Sequence, residues 1–206
     1  MAGLREQQKA DRKHRIISAA EIQFREFGYE DTKIENIAHA AGVSVGTVYN
    51  YVTNKSDLLM ILVTQHIDFV KEEIDELIKD PPANLVDAVS SLFITMTRHS
   101  LDHLGKDNWR HLFALSIAHR GTVIGEQFVQ YNGALHDRII RLLDALLENG
   151  VLAKHCDTVR LGGILFRVET MHYIELASNG NATFNGYKKA VQEDMQFILR
   201  PYIAEC

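Results

Sequence analysis

Residues 32–49, TKIENIAHAAGVSVGTVY, decide the fold of the N-terminal part of this chain. The pattern predicts two short helices joined by a glycine turn. Thr32 and Glu35 have the spacing of a capping box, which predicts that the first of these helices starts there. Gly42 is free to take a positive φ and predicts the turn. Ser44 predicts the N-cap of the second helix, because its side-chain oxygen accepts from a backbone amide of the first turn.

The second short helix is expected to have an inward and an outward face. Val48 is predicted to point inward. The side chains left to face outward are Val45, Gly46, Thr47, Tyr49 and Asn50. Two short capped helices joined by such a turn set the second helix in the major groove of DNA in helix-turn-helix proteins. Similar hairpins also occur in purely structural bundles, so spacing alone leaves both interpretations open.

The whole chain is predicted to be all-α, with about nine helices, because apolar residues recur at intervals of three and four. The first helix is expected from Gln8 to Phe27, with Gly28 ending it. Its inward residues are predicted to be Ile16, Ala20, Phe24 and Phe27. The next three helices are expected to begin near Thr32, Ser44 and Asn54. The last five are expected at 83–104, 107–119, 122–149, 156–178 and 184–203.

Composition describes an ordinary globular chain of 206 residues, 46% hydrophobic and 24% charged. No apolar run reaches the roughly 20 residues that a membrane span needs. The N-terminus lacks the apolar core of a signal peptide, so we expect a cytoplasmic protein without a membrane partner. Only Cys156 and Cys206 are present, without a CxxC motif, so neither a disulfide framework nor a structural zinc site is indicated. No cofactor is expected.

Charge is distributed unevenly along the chain. The formal net charge is −5, but residues 1–56 carry eight Lys and Arg against seven Asp and Glu, a net +1, which leaves −6 for the remainder. This asymmetry permits a DNA-facing end and an acidic body, although so small an excess does not identify a DNA-binding protein by itself. Arg12, Lys13 and Arg15 either add electrostatic grip on DNA or form a solvated helix face.

An enzymatic function is not expected. The chain has no Gly-rich phosphate loop, no nucleophile elbow and no HExxH motif. The enzymatic alternative is a metal-dependent oxidoreductase built on a helical bundle. It would need a second Glu-x-x-His segment, and only Glu169 to His172 has that pattern.

Metal sensing is a further alternative. His99 and His103 lie one helical turn apart, and Glu169 and His172 have the spacing that helix bundles use for metals. These four residues are the candidate metal ligands. The competing interpretation is that the histidines are exposed or belong to an effector pocket.

An apolar or aromatic effector is suggested by the middle of the chain. Aromatic and sulfur-bearing side chains there suit an apolar cavity. With His172 as a polar member, the candidate effector-binding residues are Phe93, Met96, Trp109, Phe113, Phe128, Tyr131 and His172. The competing interpretation is an ordinary core.

Many spaced positions of the first 60 residues resemble the N-terminal domain of the TetR family of transcriptional regulators. The matching positions are RIISAA at 15–20, Phe24, FGYE at 27–30, Thr32, Ile34, Ile37, Ala38, AGVS at 41–44, GTVY at 46–49, Tyr51 and KSDLL at 55–59. The resemblance implies a helix-turn-helix domain over 1–56 and an effector-binding and dimerisation domain over 57–206. The DNA-facing set comprises Thr32, Lys33, Val45, Gly46, Thr47, Tyr49, Asn50, Tyr51 and Lys55. Within it, the resemblance implies phosphate contacts for Thr32, Thr47, Tyr49, Tyr51 and Lys55, and positions nearest the bases for Gly46, Thr47 and Asn50. The competing interpretations are packing within the small domain for Tyr51 and a solvated charge at a helix start for Lys55.

The resemblance also implies a homodimer that represses transcription until an effector releases it. Apolar stripes on the last two long helices are broader than one small bundle needs, as a dimer interface would be. These stripes are Leu161, Ile164, Leu165 and Val168, and Val191, Met195, Ile198 and Leu199. A dimer would space two recognition helices by about 34 Å or somewhat more, so the operator is expected to be an approximate palindrome.

Overall fold

The structure, a computed structural model, describes residues 2–118 and 122–204, and these residues are almost entirely helical. Cys206 lies outside them. The helices are α1 (Ala2–Asp31), α2 (Ile34–Ala40), α3 (Val45–Tyr49), α4 (Lys55–Lys79), α5 (Leu85–Ala118), α6 (Val123–Glu148), α7 (Thr158–Ser178) and α8 (Phe184–Leu199), followed by a 3-10 turn at Arg200–Tyr202. The all-α prediction is confirmed.

The number of helices is eight in the described ranges rather than about nine. The helices predicted at 83–104 and 107–119 form one element, α5, interrupted only at Gly105, where φ is 74° and ψ is 164°. The predicted break is therefore present in the backbone. It occupies a single residue, and the helix resumes directly after it.

The first helix is longer than predicted and begins at Ala2 rather than near Gln8. Gly28 interrupts it with φ 74° and ψ 175°, a backbone conformation that only glycine adopts readily. Phe27 was predicted to point inward, and this is wrong, because its side chain is 53% exposed. After the interruption, Tyr29 stacks on the buried Phe24 with ring centroids 5.9 Å apart. The half-buried Tyr29, rather than Phe27, is thus the aromatic side chain that packs against Phe24.

The predicted capping box at Thr32 and Glu35 is also wrong. Lys33 is the N-cap of α2, with extended backbone and no side-chain cap. The hydroxyl of Thr32 instead donates to carbonyl oxygens of α1, at Gln23 (3.0 Å) and Gly28 (2.6 Å). Thr32 is 1% exposed, and its hydroxyl fastens α1 to the start of α2.

The chain divides into two compact units. The first consists of Met1–His66 and His103–Phe128, and the second of Ile67–Asp102 and Val129–Cys206. Large buried side chains of the first unit include Ile16, Phe24, Ile37 and Trp109. The core of the second draws on α4 to α8, and five of the eight stripe residues predicted above belong to this core: Leu161, Leu165, Val191, Met195 and Leu199. Ile164 of the same stripe is exposed.

None of the helices in the described part of the chain combines the length and apolar character required to cross a membrane.

Candidate nucleic-acid interface

The turn between α2 and α3 forms as the sequence predicts. Gly42 has φ 65°. Its amide donates to the carbonyl of His39 (3.1 Å), and the amide of Val43 donates to that of Ala38 (3.0 Å). These bonds satisfy carbonyls at the end of α2 that would otherwise lack partners. The direction in which the chain leaves α2 is therefore set by Gly42.

Ser44 caps α3, which confirms the predicted cap. Its hydroxyl oxygen accepts from the amide of Thr47 at 3.1 Å. Val48 is fully buried, as predicted, and Val52 is buried after it. One polar cap and one buried side chain together orient this five-residue helix.

The side chains predicted to face outward do reach the surface. Tyr49 is 51% exposed, and Gly46 and Asn50 are exposed, while Val45 and Thr47 are half-buried. The set offers hydroxyl, amide and methyl groups, which are the groups that contact phosphates and base edges in DNA. These are the chemical groups that a recognition helix presents.

A groove of about 660 Å³ runs beside α3 in the first unit. The recognition side contributes Thr47, Asn50 and Tyr51, the turn contributes Gly42 and Val43, and α1 contributes Lys9, Arg12 and Arg15. Sequence reasoning proposed Arg12, Lys13 and Arg15, of which Lys13 is not among the groove residues, and it missed Lys9. The signal for Lys9 was its spacing of three residues from Arg12, which places both on one helix face.

The Tyr51 hydroxyl donates to the carbonyl oxygen of Lys9 at 3.2 Å, so this side chain also holds α1 against the residues that follow α3. Lys33 is exposed at the start of α2. Both positions are compatible with a DNA-facing surface.

Lys55, in contrast, points back into the first unit. Its ammonium donates to the carbonyl oxygens of Tyr29, Glu30 and Thr32, and it lies 4.3 Å from the centroid of the Tyr29 ring. All three ammonium hydrogens thus have acceptors within the protein. Like Thr32, Lys55 connects the end of α1 to its neighbours, and we do not include either side chain in the DNA-facing set.

The candidate effector residues are divided between the two units. Within the first unit, Phe113 packs against Trp109 (centroids 5.8 Å apart) and edge-on against Phe128 (6.2 Å). Within the second unit, Phe93 and Met96 belong to the hydrophobic core. Tyr131 is buried in the same unit. These candidate effector residues thus pack in the cores of the two units, and this packing does not distinguish effector contacts from ordinary core residues.

Sequence reasoning missed a buried polar cluster in the second unit. Glu169 is 5% exposed, and its Oε1 accepts from the Thr97 hydroxyl (3.0 Å) and the Tyr187 hydroxyl (3.1 Å). Burial raises the pKa of this carboxyl to about 7, against the opposing effect of those two hydrogen bonds. Burial also raises the pKa of the tyrosine hydroxyls of the cluster, Tyr173 and Tyr187.

The four candidate metal ligands have separate partners. His99 contacts Glu73, His103 contacts Glu21 at 3.2 Å, and His172 contacts Asp194 at 2.8 Å. Glu169 belongs to the polar cluster described above. Within 2–118 and 122–204, no group of three or more His, Cys, Asp or Glu side chains is arranged to hold a metal ion. The structure therefore gives the metal-sensing hypothesis no support.

Residues 16–60 match the family model for bacterial regulatory proteins of the tetR family. The chain is 42% identical over 64 residues to the HTH-type transcriptional regulator HbdR of Aromatoleum sp. strain CIB. That match covers 31% of this chain and only 28% of HbdR. It is 26% identical over 144 residues to the fatty acid metabolism regulator protein of Bacillus subtilis strain 168, covering 70% of each chain.

Solved structures support the same fold over nearly the whole chain. The crystal structure of Thermus thermophilus FadR, a TetR-family repressor in complex with lauroyl-CoA, superposes with a TM-score of 0.71 at 24% identity. The superposition covers 94% of this chain and 96% of FadR. The likeness therefore extends beyond the helix-turn-helix region that the sequence comparisons match most closely.

The position of Lys55 generates a stability prediction. We expect Lys55→Met to lower the free energy of unfolding by about 1–3 kcal/mol, because three carbonyls are deprived of a charged donor. Denaturant unfolding followed by circular dichroism measures this. Lys33→Met is the matched control, since Lys33 is exposed, and it should have little effect. Equal effects of the two substitutions would contradict the assigned role of Lys55.

The buried carboxyl generates a pH prediction. The folded-state pKa of Glu169 is raised from 4.5 to about 7, so the folded protein binds the proton more tightly than the unfolded chain does. The unfolding free energy should therefore fall as pH rises through this interval, by up to about 3 kcal/mol from this group. Glu169→Gln keeps an oxygen acceptor and cannot ionise, so this component of the pH dependence should disappear in the variant.

The measurement is urea unfolding of both proteins at several pH values. The difference between the two curves isolates Glu169 from other groups that titrate in the same range. If the unfolding free energies of the two proteins change with pH in parallel, burial does not raise the pKa of Glu169.

Proposed function

We propose that this chain is a regulator of the TetR family that represses transcription by binding a specific operator in duplex DNA. The observation that carries the proposal is the arrangement of α3. Val48 anchors the helix while Thr47, Tyr49 and Asn50 remain at the surface. A short helix held in this way presents side chains without having to order them on binding, which lowers the entropic cost of association.

Contacts of two kinds are proposed for α3. Gly46 has no side chain, so the backbone can approach DNA closely, and Thr47 and Asn50 are the residues proposed nearest to the bases. Tyr49 is proposed to hold a phosphate, together with Lys33 at the start of α2. Tyr51 is proposed to hold a phosphate only if its hydroxyl leaves the carbonyl of Lys9, to which it donates in the structure. Phosphate contacts fix the register of the helix, and base contacts select the sequence.

Two copies of the chain are proposed to form a homodimer through the second unit. Several large apolar side chains of α7 and α8 lie at the surface rather than in the core. They are Val159, Ile164, Met171 and Phe197, the last with 83% exposure. Ile164 and Met171 are seven residues apart, on one face of α7. Pairing these helices with a second copy would cover apolar surface, and a two-fold dimer would require an inverted repeat in the operator.

Release by an apolar small molecule is the proposed form of regulation. An effector that binds one arrangement of the protein more tightly shifts the population toward it, and this lowers operator affinity if α3 is misplaced there. The solved FadR structure contains lauroyl-CoA, which makes a fatty acyl thioester the first probe to use here. In the first unit, the proposed apolar contacts are Trp109, Phe113 and Phe128. In the second unit, the proposed contacts are the apolar Phe93 and Met96 and the polar Tyr131 and His172.

Operator recognition is tested by selecting bound duplexes from a random DNA library at fixed salt. Wild type should enrich an inverted repeat. Thr47→Ala/Tyr49→Ala should bind that repeat more than about tenfold more weakly, because each DNA contact that these side chains make is worth about 1–3 kcal/mol. Thr64→Ala/Tyr202→Ala removes the same residue types away from α3 and should bind as wild type does.

Three outcomes would contradict the proposal at different points. If a folded Thr47→Ala/Tyr49→Ala variant enriches the same sequence, α3 does not read the bases. If wild type enriches a single half-site in place of an inverted repeat, it does not bind as a two-fold dimer. If folded wild type enriches no sequence, the chain does not recognise specific DNA.

Effector release is tested by titrating the protein–operator complex with lauroyl-CoA, with coenzyme A as the control. Operator affinity should fall with lauroyl-CoA alone, and operator DNA should weaken lauroyl-CoA binding by the same factor, since coupling between sites is reciprocal. Binding that leaves operator affinity unchanged would rule out release as the mechanism. Absence of binding would rule out the acyl thioester.

A further inference from the structure

The net positive charge of the N-terminal region lies in the first half of α1, outside the helix-turn-helix motif formed by α2 and α3. Residues 2–15 carry five Lys and Arg against two Asp and Glu, a net +3, whereas residues 16–56 carry three against five, a net −2. One of those three, Lys55, donates to carbonyls of α1. A DNA backbone approaching α3 would therefore meet little positive charge from the helix-turn-helix itself.

The N-terminal segment of α1, residues 3–15, is exposed at every position. It continues directly into the part of α1 that packs in the first unit. Arg5, Lys9, Arg12 and Ile16 follow one another at intervals of four, three and four residues, so they share one helix face. Ile16 is buried on that face. The basic stripe formed by Arg5, Lys9 and Arg12 thus extends the packing side of α1 beyond the point where the core ends.

Two observations place this stripe beside α3. Lys9 and Arg12 line the same groove of about 660 Å³ that Thr47 and Asn50 line. The carbonyl of Lys9 accepts from Tyr51, which lies two residues beyond the end of α3. Among the described residues, neither Lys9 nor Arg12 forms an ion pair. Their charges are thus available to a partner without first breaking a salt bridge.

We propose that the N-terminal segment of α1 lies along the DNA backbone next to the operator half-site, with Lys9 and Arg12 neutralising phosphates that flank the bases contacted by α3. This inference rests on the proposed DNA-binding function and adds a second contact element to it. Arg5, further along the same stripe, extends the contact away from α3.

The physical reason is the energetics of phosphate neutralisation. Each Lys or Arg placed against a phosphate releases condensed counterions, and this sequence-independent contribution is a large part of DNA affinity. A protein with a net charge of −5 needs a local positive surface to approach DNA. The stripe on α1 combines positive charge, exposure and a position beside α3.

The test uses the full chain and the operator obtained by library selection. Affinity is measured by fluorescence anisotropy over a series of salt concentrations for wild type, Lys9→Gln/Arg12→Gln, and the charge-matched control Lys79→Gln/Lys154→Gln. The control side chains are exposed in the second unit. Each neutralised phosphate contributes about 0.9 to the slope of log affinity against log salt, so removing two cations per subunit of a dimer should make the slope shallower by about 3 to 4. The control should keep the wild-type slope.

A second readout separates phosphate contacts from base reading and from structural damage. Affinities for the operator and for a shuffled duplex should fall by the same factor in Lys9→Gln/Arg12→Gln, with unchanged thermal unfolding, because phosphate contacts carry no sequence information. An unchanged slope with intact operator binding would overturn this inference and leave the proposed function standing. A weakening confined to the operator would also overturn it, since it would mean base reading. Failure of wild type to bind any duplex would overturn both.

Discussion

A helix of five residues has no stability of its own in water, so the orientation of α3 depends entirely on what holds its two ends. Ser44 satisfies an amide at its start, and burial of Val48 attaches it to the first unit. Gly42 sets the direction in which the chain enters it. The directions of the outward side chains of α3 follow from these three positions, because α3 can turn its outward residues only where the burial of Val48 allows.

In the same unit, two polar side chains form hydrogen bonds to the backbone around the break at Gly28. Thr32 donates to the carbonyls of Gln23 and Gly28, before and at the interruption of α1, and Lys55 donates to carbonyls directly after it. The Lys55 ammonium binds these carbonyls firmly, since hydrogen bonds from a charged donor are stronger than neutral ones. Its charge is therefore already engaged within the protein, although the residue is half-buried. This gives the basic stripe at the start of α1 its importance for the electrostatics of the unit.

The second unit contains a different kind of constraint. Glu169 lies in a core where an ionised carboxylate would be costly, and the hydroxyls of Thr97 and Tyr187 satisfy one of its oxygens. The raised pKa of Glu169 is the consequence of this burial. A buried group that gains or loses a proton near neutral pH makes the stability of this unit sensitive to pH. This is also the unit in which we propose that the dimer forms.

The sequence by itself determined the features that depend on neighbours a few residues apart, and the tertiary structure decided the roles that depend on distant partners. Helical periodicity, the glycine breaks, the Ser44 cap and the inward position of Val48 follow from local rules. Thr32 also satisfied a local pattern, that of a capping box, but its hydroxyl bonds to α1. Lys55 binds a carbonyl 26 residues away, and Thr97 meets Glu169 across 72 residues. Periodicity shows which face a side chain is on and carries no information about what that face meets. Whether a charged or polar group serves the core or the surface is therefore decided by the packing of helices.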